Sequence, residues 1–200
     1  MTHYPEDMST QRRVAVYCGS SSGSDPAYLS EAEALGQAIA AAGLGMVYGG
    51  ASIGLMGAAA DAALAAGAEV TGVLPEFLAG REITHHGLTR LEVVATMHQR
   101  KARMVALADA FLILPGGYGT LDEFFEILTW SQLKMHAKPC ILINTAGYWN
   151  KLLAFADDIV EAGFLPPRSR ALMQVAPDAP AAVRLAVHQI SEQITPPPGA

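Results

Sequence analysis

The 200-residue chain is 51% hydrophobic and only 16% charged, a balance that allows one sizeable core and excludes a disordered polymer. Its net charge of −6 argues against a broad DNA- or RNA-binding surface, which needs an excess of Lys and Arg, but leaves room for a local anion site. The polar N-terminus, MTHYPEDMSTQRR, lacks the apolar stretch of a signal peptide, and the most apolar long run, 55–68, contains Asp61 and is too short to span a bilayer; a cytoplasmic protein without a membrane partner is expected.

In chain order, RVAVYC (13–18) reads as a strand and 26–42 as a helix ended by Gly43. LGMVYG (44–49) is a second strand, 55–67 an Ala-rich helix, and EVTGVLP (69–75) a third strand. A fourth strand spans 88–95, followed by a helix at 97–108 and a fifth, continuously apolar strand, AFLILP (110–115). A long helix runs from about 120 to 135, then come a strand at 139–144, a helix at 148–163, a short strand at 171–176 and a last helix at 178–194. Residues 1–11 and the tail 195–200 are expected to be disordered, leaving one domain over 12–194 with no internal repeat. Cys18 and Cys140 sit in apolar strands and read as buried thiols; no Cys/His cluster suggests a metal.

Strands alternating with helices, and apolar enough to be covered on both sides, predict an α/β fold: a single-domain, doubly wound, Rossmann-like parallel sheet with helices on both faces. Ligands of such sheets bind beyond the carboxyl ends of the strands. The loops there are CGSSSG, GGASIGLMG, PEFLAGREITHHG, TMHQRK and PGGYGT. In PGGYGT, glycines between a buried strand and a helix N-terminus let backbone N–H groups approach an anion, although a tight turn alone also explains them. No GKS or GKT follows, so this is not a Walker loop. GSSSG is not the dinucleotide fingerprint GxGxxG, and no acid closes the second strand to bind a ribose. A phosphate-bearing nucleotide is favoured, without NAD, ATP-Mg or any other cofactor.

TLDE fits a capping box with Thr120 as N-cap and Glu123 three residues on, so Glu123 has a purely structural reading beside a catalytic one. Arg100 and Lys101 fall near the start of their helix, where cations oppose the helix dipole; that position makes sense if their charge meets an anion. Arg103 is either solvated or part of the same cluster.

Together, PGGYGTLDE (115–123) and MHQRKARM (97–104) resemble the paired motif of the Lonely Guy (LOG) family, the cytokinin riboside 5′-monophosphate phosphoribohydrolases. The resemblance covers roughly 12–190, including YCGSSSG and VYGGASIGLMG. It implies hydrolysis of the N-glycosidic bond between a purine and ribose 5-phosphate, with Arg100 and Glu123 catalytic. Nucleotide binding carries over to Glu82, Arg100, Lys101, the run Gly117, Tyr118, Gly119, Thr120, Leu121, Asp122 and Glu123, and Thr129. Gly116 of the same loop is taken with that run, and the sheet-edge argument adds Ser20, Gly49 and Gly50. Many members carry a lysine decarboxylase label, but no residue pattern here supports a pyridoxal phosphate site. At a helix N-terminus Glu123 is expected to be ionised, and so a base or electrostatic stabiliser of the oxocarbenium-like ribose.

The long helix is apolar almost all round, at Phe124, Phe125, Ile127, Leu128, Trp130, Leu133 and Met135. One face can cover the sheet; the remainder implies a second burial partner, expected to be another copy in a homodimer through 120–135. Two other classes fit the fold: a nucleotide or molybdenum-cofactor carrier without turnover, against which the Arg100/Glu123 pair speaks, and a DNA-processing protein of the DprA type, against which the acidic charge speaks.

Overall fold

The structure, a computed structural model, describes residues 11–79 and 84–194. The expected disorder of 1–10 and 195–200 falls outside the described residues. The elements follow the predicted alternation: β1 (Arg13–Tyr17), α1 (Pro26–Ala41), β2 (Gly45–Tyr48), α2 (Gly54–Ala65), β3 (Val70–Pro75), β4 (Arg90–Val94), α3 (Met97–Leu107), β5 (Ala110–Ile113), α4 (Tyr118–Gln132), β6 (Cys140–Ile143), α5 (Asn150–Glu161), the short α6 (Pro167–Arg170), β7 (Met173–Ala176) and α7 (Ala179–Ile194). Neither α6 nor the 3-10 turn Thr145–Gly147 is marked by a hydrophobic period, which segments this short cannot show.

The seven strands form one sheet in the order β4-β3-β2-β1-β5-β6-β7, and every pairing is parallel. The central strands are apolar throughout because alternate side chains serve opposite faces. Val14, Val16 and Cys18 join Met46, Leu112 and Ile141 in the core beneath α1, α2 and α7. Ala15, Tyr17, Val47, Phe111, Ile113 and Leu142 pack beneath α3, α4 and α5. Both cysteines are buried free thiols. The edge strand β4 departs from the expectation of burial on both sides, since Leu91 and Val93 are exposed.

Candidate active site

The strand order reverses at β1. The chain winds outward from β1 to β4 and then crosses back so that β5 lies along β1's other side, Val14 opposite Ala110. The loops after β1 and β5 therefore leave the sheet in different directions and open a crevice between them. Its floor is stitched by Gly19 N–H donating to the Pro115 carbonyl at 3.0 Å. A cavity of about 240 Å³ lies there, lined by Cys18–Ser20, Met56, Arg100, Gly117–Thr120 and Glu123. A second compartment of about 290 Å³ adjoins it at Gly19, Ser20 and Gly117, and is walled by Ser21–Gly23, Tyr28, Leu55 and Tyr148.

Arg100 reaches the cavity from α3. That helix starts at Thr96, whose hydroxyl accepts from Gln99 N–H at 3.1 Å, while the Gln99 side chain accepts from Ala95 N–H at 2.9 Å. The Thr-x-x-Gln spacing is the signal that announces this cap. The guanidinium is fixed by Nε donating to the Val73 carbonyl at 3.2 Å, and Nη1 meets Met97 Sδ at 3.2 Å. Nη1 also pairs with Glu123 Oε1 at 3.0 Å. Gly49 makes room for this: a Cβ there would stand 2.3 Å from Arg100 Nη2. Gly49 and Gly50, expected at the ligand, are both buried, and Gly49 packs against the Arg100 guanidinium. Ser20 lines both compartments.

The capping box predicted on α4 does not form. The helix begins at Tyr118 with Gly117 as its N-cap and no side-chain cap, so Thr120 lies inside the first turn. Glycine at 117 and 119 lets the chain enter the helix before the Thr is reached. Thr120 is buried and packs against Gly116, where a Cβ would come 2.1 Å from its hydroxyl. Glu123 is consequently a second-turn residue whose carboxylate faces Arg100 and not its own helix terminus. The first N–H groups of α4, with no side chain capping them, are left for a ligand at the crevice.

Glu123 is 8% exposed. Burial raises its pKa above the ordinary carboxylate value, the nearby Arg100 opposing and Asp122 adding to the rise. The expectation that a helix terminus would hold Glu123 readily ionised is therefore corrected: desolvation outweighs its charge partner. Burial and the same carboxylate push the Cys18 thiol upward too, so Cys18 is a neutral wall.

The anion that Lys101 meets is the protein's own. Its Nζ sits 3.1 Å from both Asp122 Oδ2 and Glu126 Oε1, which locks α3 to α4. Asp122 is otherwise exposed. Arg103 is neither solvated nor joined to Arg100; it is buried and forks onto Glu92 of β4, at 2.6 and 3.0 Å. Tyr118 is exposed, Leu121 is half-buried against the core, and Thr129 lies two turns beyond Glu123 with its hydroxyl donating to the Phe125 carbonyl at 2.7 Å. Thr129 does not line this cavity. Glu82 falls outside the described residues.

A family model described as possible lysine decarboxylase matches residues 56–186, more than half of the chain. A cytokinin riboside 5′-monophosphate phosphoribohydrolase of Rhodococcoides fascians is 49% identical over 87% of this chain and 88% of its own. The chain belongs to the Lonely Guy family. A second Lonely Guy relative, the phosphoribohydrolase LOG7 of Arabidopsis thaliana, is 47% identical over 90% of this chain and 82% of its own. Among solved structures, a molybdenum cofactor carrier protein of Chlamydomonas reinhardtii superposes with a TM-score of 0.69 at 24% identity, covering 92% of this chain and 99% of that one; at that identity the likeness concerns the Rossmann-like fold alone. The decarboxylase description finds no support at Lys101, which is already held by two carboxylates.

Proposed function

We propose that this chain is a phosphoribohydrolase that splits adenosine 5′-monophosphate, or its N6-modified forms, into free base and ribose 5-phosphate. The observation that carries the reading is the 3.0 Å Arg100–Glu123 pair lining the same cavity as the uncapped first turn of α4. The relatives' names supply the reaction class.

The residues divide the work. Backbone N–H groups at the start of α4, together with the helix dipole, suit the 5′-phosphate. With Lys101 held by its two acids, Arg100 is, among the described residues, the cation that lines the cavity. Breaking the C1′–N bond builds positive charge on the ribose; Glu123 as carboxylate stabilises it and orients the attacking water. The electron pair of the broken bond leaves with the base, which takes up one proton to become the free base, in net terms the proton that the water gives to Glu123. The water's oxygen bonds to C1′, and one of its protons passes to Glu123, whose raised pKa lets it accept. Arg100 holds the carboxylate in place and balances its charge in a dry site. No metal or organic cofactor is invoked.

The residue run Gly116 to Asp122, with Ser20, forms the substrate contact surface in this reading, and Lys101 acts by holding α3 against α4. A homodimer through α4 belongs to the same proposal. Phe124 and Ile127 are buried beneath the helix, while Phe125, Leu133 and Met135 are exposed, an apolar strip suited to a second copy. Thr129 lies on that helix and, like Glu82, is assigned to substrate binding by family likeness. The deciding experiment is incubation of the purified chain with AMP and with N6-prenylated AMP, followed by chromatography for free base and ribose 5-phosphate. Absence of both products from both substrates would refute the reading.

A further inference from the structure

Tyr148 follows β6, on a segment that no motif marks, yet its hydroxyl donates to the Gly116 carbonyl at 2.7 Å, across 32 positions of sequence. Its ring is wedged edge-on between two others. Tyr28 of α1 lies at 5.6 Å and 80°, and Trp149 at 4.7 Å and 89°. Trp149 is 2% exposed and anchored in the core, and its backbone N–H donates to Asn144 Oδ1 at 2.8 Å. Asn144 in turn donates from Nδ2 to Asn150 Oδ1 at 2.8 Å. Between them, Ala146 takes the left-handed conformation at φ 52°, which a side-chain-bearing residue adopts only when its surroundings hold it there. The turn is thus fixed at both ends, and it delivers one hydroxyl to one carbonyl.

We propose that Tyr148 is a positioning residue for the phosphate subsite. It acts through the Gly116–Gly117 peptide. That unit is planar and trans, so its C=O and N–H point in opposite senses; tying the Gly116 oxygen to Tyr148 sets the direction of the Gly117 N–H at the α4 N-cap. The loop has few other restraints: Pro115 is held by Gly19, Gly116 touches Thr120, and a Cβ at Gly117 would meet nothing within 4 Å. A single strong tether on the last fixed carbonyl before the helix therefore decides how well the donors are aimed before ligand arrives. This inference rests on the phosphate reading of the α4 N-terminus given above.

The test is Tyr148→Phe, which keeps the ring and its stacking and removes the hydroxyl. Binding of ribose 5-phosphate and of free adenine is measured by calorimetry, and kcat and KM are measured with the nucleotide. Ribose 5-phosphate should bind roughly tenfold more weakly, the scale of one hydrogen bond, with adenine affinity unchanged, and kcat/KM should fall in parallel. Unchanged ribose 5-phosphate affinity, or equal weakening of phosphate and base, would overturn the proposal, as would failure of the parent protein to bind ribose 5-phosphate at all. If the parent hydrolyses no nucleotide, the proposed activity fails, while the binding comparison still decides the role of Tyr148.

Discussion

Glu123→Gln separates the charge of the catalytic candidate from its shape. The amide oxygen can still accept from Arg100 Nη1, and the guanidinium keeps its contacts to Val73 and Met97, so the fold and the crevice should survive. What is lost is the negative charge beside C1′ and the acceptor for the water's proton. Removal of one preorganised electrostatic group costs about 2.7–4 kcal/mol of transition-state stabilisation, which predicts a kcat roughly 100- to 1,000-fold lower with AMP affinity largely kept. The pH profile supplies an independent readout. Activity requires ionised Glu123, whose pKa burial has raised, so kcat/KM of the parent should fall on the acid side along a limb placed above the ordinary carboxylate range. The variant should lack that limb. The stability sign is opposite: the folded state holds the Glu123 proton more tightly than the unfolded chain, so stability contributed through this group declines as pH rises between the unfolded and folded pKa values. Parent melting temperature should drop through that window relative to the variant. A variant that turns over near the parent rate would reduce Glu123 to a structural partner of Arg100.

Adenosine should be a poorer substrate than AMP by at least roughly 100-fold in kcat/KM, about 2.7 kcal/mol, because the phosphate's binding energy holds the reacting centre in place; ATP should also be poor, and comparable rates for riboside and monophosphate in a side-by-side assay would remove the phosphate from the argument. Gly49→Ala should retain the fold by circular dichroism yet lose activity by an order of magnitude or more, since its Cβ would occupy the space of Arg100 Nη2; parent-like turnover would show that the guanidinium's seat is not critical. Light scattering should report a particle of about twice the chain mass, and Leu133→Glu, at the exposed C-cap of α4, should shift it toward monomer; a monomeric parent would sink the dimer. Arg103→Met should lower stability by about 1.5–3 kcal/mol in urea titration, because its buried fork on Glu92 is lost while Arg90 still pairs with that carboxylate, and no measurable loss would mean that Arg90 alone satisfies Glu92.

Much of the fold was legible because period and punctuation are local properties. The run at 13–18 alternates between two buried faces, Gly43 stops α1, and the glycine loops fall at strand ends, so the reactive edge of the sheet follows from the sequence. The partners were less legible because they are long-range. Lys101 has the spacing of a phosphate ligand, but which anion it meets depends on α4 packing beside α3, and two carboxylates of α4 arrive first. Arg103 finds Glu92 only once β4 lies against α3. The capping box misled because TLDE satisfies it locally, whereas two glycines upstream allow an earlier start at Tyr118. Burial of Glu123 inverted the direction expected for its proton affinity. Tyr148 left no local trace, since its hydrogen bond joins two loops on different strands.

The reversal of strand order at β1 also bears on how the chain is made. As the polypeptide emerges, β1 to β4 can assemble with their helices, but the hydrogen-bonding edge of β1 that β5 will later take stays open until residue 113 has appeared. That edge carries Val14, Ala15, Val16 and Tyr17, all buried in the finished protein, so the half-made sheet presents a sticky rim to other nascent chains. The crevice is divided in the same way: Cys18, Ser20 and Arg100 belong to the first half, and Gly117 to Glu123 to the second. Closing the two halves requires contacts of long sequence separation, β5 on β1 and α7 on α1, which makes folding slow relative to local helix formation. A ribosome-stalled chain ending before β5 should therefore be aggregation-prone, and the capacity to bind a nucleotide should appear abruptly and late, in the same step that seals the rim.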